Sequence, residues 1–251
     1  MHRTSSLTQE VTVGNQPITL DLPILSQGIN IDVESVAPLR NFNPSECYDV
    51  ANATITALVN APTEQVYRLV VHADVEAGTR AFARVVSATD DKFDVVANFR
   101  RITKHDEPLL QPVLAKAGIA LDGQHPDAAL HELAKHFKIA DLAIPAGQHV
   151  VRIHLSQKLL PQAGNPKAYQ LVMYAPLLSF VPSGAAKLAA TVVFPLGFEQ
   201  TAAIAEPVVE ALPGQSLPGA DAYTNGLIGL QKSFGWCWHY DPKVTINYVY
   251  N

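Results

Sequence analysis

Apolar and polar residues alternate one by one along much of the first hundred positions. The run 29–34 alternates Ile, Ile and Val with Asn, Asp and Glu, and the same period of two recurs at 18–22 and 53–57. Residues i, i+2 and i+4 of a β-strand lie on one face of a sheet, so this pattern predicts strands that are buried on one side. Prolines and polar clusters separate the runs at the spacing that is typical of a sandwich or barrel.

The period changes near the middle of the chain. Apolar residues recur at helical spacing over 109–117, and a second stripe of Leu130, Leu133 and Phe137 follows Pro126. Proline suits the first turn of a helix, and intervals of three and four residues place the stripe on one helix face. The pattern therefore predicts two short helices that pack on the sheets.

Strand patterns resume after the helical region. β-branched and aromatic runs occupy 150–155, 169–174 and 188–194. We therefore predict a mainly β protein, a jelly-roll-like β-sandwich formed by residues 1–251 as a single domain, with a short helical insert at about 106–140.

The stretch 175–198 is apolar enough to raise the question of a membrane span. Lys187 is its only charged residue, but Pro176, Pro182 and Pro195 interrupt it. A spanning helix needs roughly 20 uninterrupted apolar residues. The stretch therefore predicts buried strands, and we expect no membrane span.

The segment 206–221 contains three prolines and two glycines, and it predicts an extended arm. Phe234, Trp236, Trp238 and Tyr240 follow it at alternate positions, which puts four aromatic rings on one strand face. The turn at 241–243 then predicts a terminal β-hairpin. The aromatic face has two interpretations, a binding surface for a sugar ring or a protein partner, and the buried face of a core strand.

Charge is sparse and unevenly distributed. Charged residues make up 16% of the chain, the net charge is −5, and Arg100-Arg101 is the densest basic pair. Phosphate-backbone binding requires clustered Lys and Arg, so we expect no nucleic-acid partner. The segment 160–235 carries seven charged side chains in 76 positions, whereas the other 175 positions carry 34. Such a segment is difficult to leave in water, which favours its coverage by the fold or by another subunit.

Several short motifs approach a catalytic pattern without completing it. His131 and His136 are five residues apart, which turns them about 140° from each other on a helix, so a helical zinc-protease site is excluded. Gly226 and Gly229 precede Lys232-Ser233 at the wrong spacing for a phosphate-binding loop. We therefore predict no catalytic residues, no metal and no cofactor.

His72 and Asp74 provide the most specific enzyme hypothesis. A His-x-Asp pair with a distant third histidine, here His149 or His154, is the ligand set of non-haem iron oxygenases, many of which are jelly rolls. A surface histidine and a turn aspartate explain the same residues without chemistry.

The leading functional prediction is a structural, non-catalytic subunit of a larger protein assembly, such as a virion, phage-tail-like or shell particle. It rests on the charge-poor 160–235 segment, the extended arm and the incomplete catalytic motifs. The alternatives are the iron oxygenase and a sugar- or ligand-binding β-sandwich module.

We expect a cytoplasmic or particle location, because the first residues have no apolar core of a signal peptide. Cys47 and Cys237 are a single pair that could form a disulfide or remain two buried thiols.

Overall fold

The fold is taken from a computed structural model of the 251-residue chain. The structure describes residues 11–13, 16–19, 22–43, 46–73, 80–87, 90–108, 110, 126–174, 180–211, 220, 222–238 and 242–251. Within these residues, strands numbered in chain order form three sheets.

The largest sheet has eight strands. In order across the sheet they are β16 (Ala222–Ile228), β17 (Gln231–Trp238), β13 (Phe180–Leu196), β3 (Leu22–Glu34), β4 (Asp49–Ala61), β10 (Gly147–Leu159), β6 (Arg80–Ser87) and β7 (Asp90–Asn98). Neighbours are antiparallel except β3 and β13, which run parallel. The apolar face predicted for 29–34 is confirmed, because Ile29, Ile31 and Val33 are buried while Asn30, Asp32 and Glu34 are exposed.

Two smaller sheets of five strands each complete the core. The second sheet contains β1 (Val11–Val13), β2 (Gln16–Thr19), β5 (Gln65–His72), β9 (Phe137–Ile144) and β8 (Arg100–Arg101). The third contains β11 (Pro161–Gln162), β12 (Asn165–Tyr174), β18 (Pro242–Tyr250), β14 (Ala202–Ile204) and β15 (Val208–Ala211). Side chains of all three sheets share one buried cluster, with Leu69 from the second sheet and Ile246 from the third. The predicted β-sandwich is confirmed.

Helical structure is short. The described helices are Pro126–Ala134, Phe198–Thr201 and a 3₁₀ turn at Pro38–Arg40. Leu130 and Ala134 are buried, and their helix contacts β9. The helical insert is therefore confirmed, although most of the helix predicted at 109–117 lies outside the described residues. The insert also ends before 140, because Phe137 begins a strand that pairs with β5 instead of extending the helix stripe.

The predicted terminal hairpin is wrong. β17 pairs with β13 and β16 in the large sheet, whereas β18 pairs with β12, β14 and β15 in the third sheet. The apolar face of each strand is buried as predicted. An arch that passes from one sheet to the other lets these two faces meet across the core, whereas a hairpin would place both strands in one layer.

The predicted arm at 206–221 is also more regular than expected. Val208–Ala211 forms β15, because its peptide groups pair with 242–245 of β18. Residues 212–219 and 221 of the predicted arm lie outside the described residues.

A buried carboxylate ties the large sheet to the third one. Asp49 Oδ1 accepts hydrogen bonds from the backbone N–H groups of Val36 and Ala37 at 2.9 and 3.0 Å. Its Oδ2 accepts from the hydroxyls of Tyr248 and Tyr250, each at 2.7 Å. Burial, followed by the nearby Asp49 charge, raises the pKa of Tyr248 well above its ordinary value. Four hydrogen-bond donors therefore satisfy the buried carboxyl group of Asp49, and no cationic side chain among the described residues pairs with it.

A second buried charge lies between β5 and the insert. Arg68, 2% exposed, donates from Nε and Nη2 to Asp141 at 2.6 and 2.7 Å, and its Nη1 lies 3.6 Å from Asp106. Asp106 also accepts two hydrogen bonds from Arg100 and two from Thr103. Burial disfavours the charge of Asp106, but the hydrogen bonds from Arg100 and Thr103 outweigh it and hold its pKa well below the ordinary value.

Candidate interaction surface

The edge strand β16 is the most exposed strand of the large sheet. Its sequence is Ala-Tyr-Thr-Asn-Gly-Leu-Ile, and six of its seven residues are exposed while Gly226 is half-buried. One side pairs with β17, and the other side has no strand neighbour within the described part of the chain. A free edge presents a row of unpaired peptide N–H and C=O groups, which can pair with a strand from another chain.

An apolar tip adjoins this edge where β16 turns into β17. Four aliphatic side chains are more than half exposed there: Leu196 at 69%, Leu227 at 55%, Ile228 at 56% and Leu230 at 71%. The backbone N–H of Gly197 donates to the carbonyl of Leu230, which brings the end of β13 beside the turn. Gly229 has φ +65°, a conformation that glycine adopts without strain, so it allows the tight turn. Clustered exposed aliphatic residues mark a contact surface more often than solitary ones do.

Two hydrogen bonds to Glu206 fix the first half of β16. Glu206 accepts hydrogen bonds from the Tyr223 hydroxyl and from the Asn225 side chain, the latter at 2.9 Å. Partial burial, and then the bond to Glu206, raises the pKa of Tyr223 to about 12. The Tyr223 ring also stacks on Trp236 at 5.7 Å. The contacts of Tyr223 and Asn225 therefore fix the position of this edge strand on one of its faces.

The aromatic residues singled out from the sequence lie beneath this edge. Phe234, Trp236 and Trp238 are buried, at 2%, 5% and 0% exposure, and Trp236 and Trp238 stack on each other at 5.6 Å. Tyr240 lies outside the described residues. The three described rings thus form part of the core, and a binding role for the aromatic face stays a prediction.

The side chains of the two central residues of the proposed iron site fall outside what the structure describes, so the iron site stays a prediction. His72 ends β5, its side chain is not described, and Asp74 lies outside the described residues. His149 and His154 lie on opposite faces of β10: His149 is buried and donates to the carbonyl of Ala146, whereas His154 is half-buried on the outer face and stacks on Phe82. Across the part of the chain that can be described, no group of three His, Cys, Asp or Glu side chains could hold a metal.

Other residues considered from the sequence have ordinary surroundings. His131 is exposed and its Nδ1 lies 2.8 Å from Glu107, and His136 is exposed as well. Cys47 is buried with its Sγ 2.7 Å from the Tyr169 hydroxyl, Cys237 is half-buried, and both are free thiols. In the described ranges, no helix is long and apolar enough to cross a membrane.

Sequence reasoning missed β16 as a strand and Leu196, Leu227 and Leu230 as a cluster. The available signal was the charge-free run 222–230, whose tyrosine, threonine, leucine and isoleucine fit a pleated strand. The glycines at 226 and 229 drew attention to phosphate loops instead.

Comparisons with known proteins assign no family to this chain. Sequence comparison with models of known families gives no match, and comparison with curated proteins gives none. Among solved structures, the chain is similar to a candidate nutrient-binding protein from Legionella pneumophila, with 11% identity and a TM-score of 0.47 over 91% of this chain and 67% of that chain.

Proposed function

We propose that the chain is a structural, non-catalytic subunit of a larger protein assembly, such as a virion, phage-tail-like or shell particle. The free, uncharged edge of β16 carries this proposal. Proteins that stay monomeric protect such edges with lysine, proline, a bulge or a covering loop. β16 has no charged residue and no proline, and six of its seven residues are exposed.

The composition of β16 favours pairing with a second strand. Antiparallel pairing of two copies of β16 around Asn225 places Tyr223 of one copy opposite Leu227 of the other. An aromatic–aliphatic pair across strands contributes about 0.2–1 kcal/mol, and it occurs twice in this arrangement. The apolar tip of Leu196, Leu227, Ile228 and Leu230 extends the contact beyond the peptide edge.

The first test is the oligomeric state of the purified chain at micromolar concentration, measured by sedimentation velocity with light scattering. We expect a stable oligomer, and a clean monomer overturns the proposal.

The second test introduces a lysine at the edge. Ile228→Lys should raise the dissociation constant at least about tenfold, because a lysine on an edge strand disfavours pairing with another strand and its ammonium group would have to be buried among the aliphatic side chains of the tip. The matched control is Leu39→Lys, which places the same charge on another element at a leucine that is 82% exposed. Equal association of the two variants would remove β16 from the contact.

A further inference from the structure

The outer face of the large sheet is divided into two halves of opposite character. Outward side chains of β6 and β10 form a basic half, which consists of Arg80, Phe82, Arg84, Arg152 and His154. Outward positions of β3 and β4 form an acidic half, whose two charged residues are Asp32 and Glu34 and whose other members include Gly28, Asn30, Asn52 and Thr54. The two halves lie side by side, because β4 pairs directly with β10.

The strand register aligns the two halves in straight rows. Asp32 pairs with Asn52, Asn52 with Ser156, and Ser156 with Arg80, so Asp32 and Arg80 are the outer ends of one row. A parallel row runs from Gly28 to Arg84. The row of Asp32 therefore ends on β6 in Arg80 and the row of Gly28 ends in Arg84, while the row between them joins Asn30 to Phe82.

Positive charge is concentrated on the basic half. Arg84 and Arg152 are direct cross-strand neighbours, and Arg80 and Arg152 are exposed. Arg84 lies over the Phe82 ring at 5.1 Å, and His154 stacks on the same ring at 4.8 Å. Burial, together with Arg84 and Arg152, lowers the pKa of His154 below its ordinary value. The exposed guanidinium groups of Arg80 and Arg152 are therefore placed to meet acidic side chains of a partner.

We infer that a second copy of this chain docks on this face through a two-fold axis that runs along the strands between β4 and β10. This inference rests on the proposed assembly function and names one of its contacts. Strands are spaced by about 4.8 Å, so β3 and β6 both lie about 7 Å from that axis. The two-fold rotation therefore places β3 of one copy over β6 of the other.

Charge and size are both complementary in this arrangement. Asp32 of each copy faces Arg80 of the other, and neither residue has an ion-pair partner among the described side chains. Arg84 lies opposite Gly28, where a β-carbon would have no atom within 4 Å, so the partner offers room at that point of the contact. A two-fold contact makes each pair twice, which is the defining property of an isologous interface.

The test uses charge reversal in the full chain, in the Ile228→Lys background so that the β16 edge is blocked. Asp32→Arg alone and Arg80→Asp alone should each weaken the dimer at least about tenfold, because each homodimer then contains two like-charged pairs. Mixing the two variants in equal amounts should restore dimerisation to within about threefold, because both pairs in the mixed dimer are again opposite in charge. Light scattering and sedimentation velocity measure each sample.

Glu64→Arg is the matched control, since it makes the same charge change at an exposed residue between β4 and β5 and should leave the dimer unchanged. Circular dichroism confirms that each variant is folded. If the mixture stays monomeric while the unmodified chain is an oligomer that Ile228→Lys weakens, the face contact is overturned and the proposed function stands. If the unmodified chain is a monomer, both are overturned. If mixing restores the dimer and the edge variant has no effect, the face contact stands and the β16 argument is removed.

Discussion

The eight-stranded sheet ends in β16 at one edge and in β7 at the other, and the two edge strands differ in charge. β7 contains Asp90, Asp91, Lys92 and Asp94 within nine residues, whereas β16 contains no charged residue within seven. Charged side chains on an edge strand prevent pairing with other chains. By composition, β7 carries the charges that discourage association, whereas β16 carries none.

The buried residues next to the two edge strands also differ, since those near β16 are aromatic and those near β7 include an ion pair. The stacked rings of Trp236 and Trp238 lie next to β16, and they stabilise the fold by apolar packing. β7 contacts β9 of the second sheet, where Asp141 holds the buried guanidinium of Arg68. The end with β7 therefore adjoins a buried ion pair, whereas the end with β16 has exposed aliphatic side chains and no charged residue in its edge strand. We therefore expect a partner to bind at the β16 end.

The largest loss of stability is expected for a substitution in the aromatic core next to β16. Trp238→Ala should lower the free energy of unfolding by about 3–5 kcal/mol, because it leaves a large cavity at a side chain with 0% exposure. Trp238→Phe should be much milder, since the Nε1 of Trp238 has no hydrogen-bond partner within the described residues. Urea unfolding at low and high salt measures both variants. A loss that depends strongly on salt would contradict packing as its cause.

A smaller effect is expected at the charged end. Arg68→Met should lower the free energy of unfolding by about 2 kcal/mol, because Asp141 and Asp106 lose a buried cation while Asp141 remains partly hydrated. Arg68→Lys keeps the positive charge but loses the paired hydrogen bonds to Asp141, so its free energy of unfolding should lie between those of the unmodified chain and Arg68→Met. Thermal and urea unfolding at neutral pH provide the measurement. Full stability of Arg68→Met would show that the ion cluster adds nothing to folding.

The smallest expected effect is a change in how the free energy of unfolding depends on pH in the acid range. The pKa of Asp106 is lowered in the folded chain from its ordinary value of 3.8, so as the pH falls below about 4 the unfolded chain takes up this proton first. The contribution of Asp106 to stability is therefore present above that pH and decreases as the pH falls through the folded-state pKa. Asp106→Asn should flatten the loss of stability between pH 6 and pH 3, whereas Glu64→Gln, at an exposed residue between β4 and β5, should leave it unchanged. Equal acid curves for the two variants would contradict this assignment.

The faces of most strands could be predicted from the sequence, because burial follows directly from a period of two. Ile29, Ile31 and Val33 identify one inner face, and Phe234, Trp236 and Trp238 identify another. The sheet to which a strand belongs could not be predicted in the same way. β17 and β18 have the correct faces, but an alternating pattern is the same in a hairpin and in an arch.

The interaction surface was less accessible to sequence reasoning for two physical reasons. An edge strand that is exposed on both faces has no apolar alternation, so β16 gave no periodic signal. The rows of the outer face depend on register, which joins Asp32 to Arg80 through residues of two other strands. Buried charges such as Arg68 and Asp49 were also missed, because their partners come from distant segments.

The hydrogen bonds of Asp49 have a kinetic consequence. Tyr250 and Tyr248 are 201 and 199 residues away along the chain, so the carboxylate acquires these two donors only after the most distant strands have met. Contacts of such long range make folding slow, and the parallel pairing of β3 with β13 adds to the same delay. We expect refolding from urea to be slow relative to its hydrophobic collapse, with β3 and β13 transiently open to other chains during that interval. High protein concentration during refolding should therefore lower the native yield.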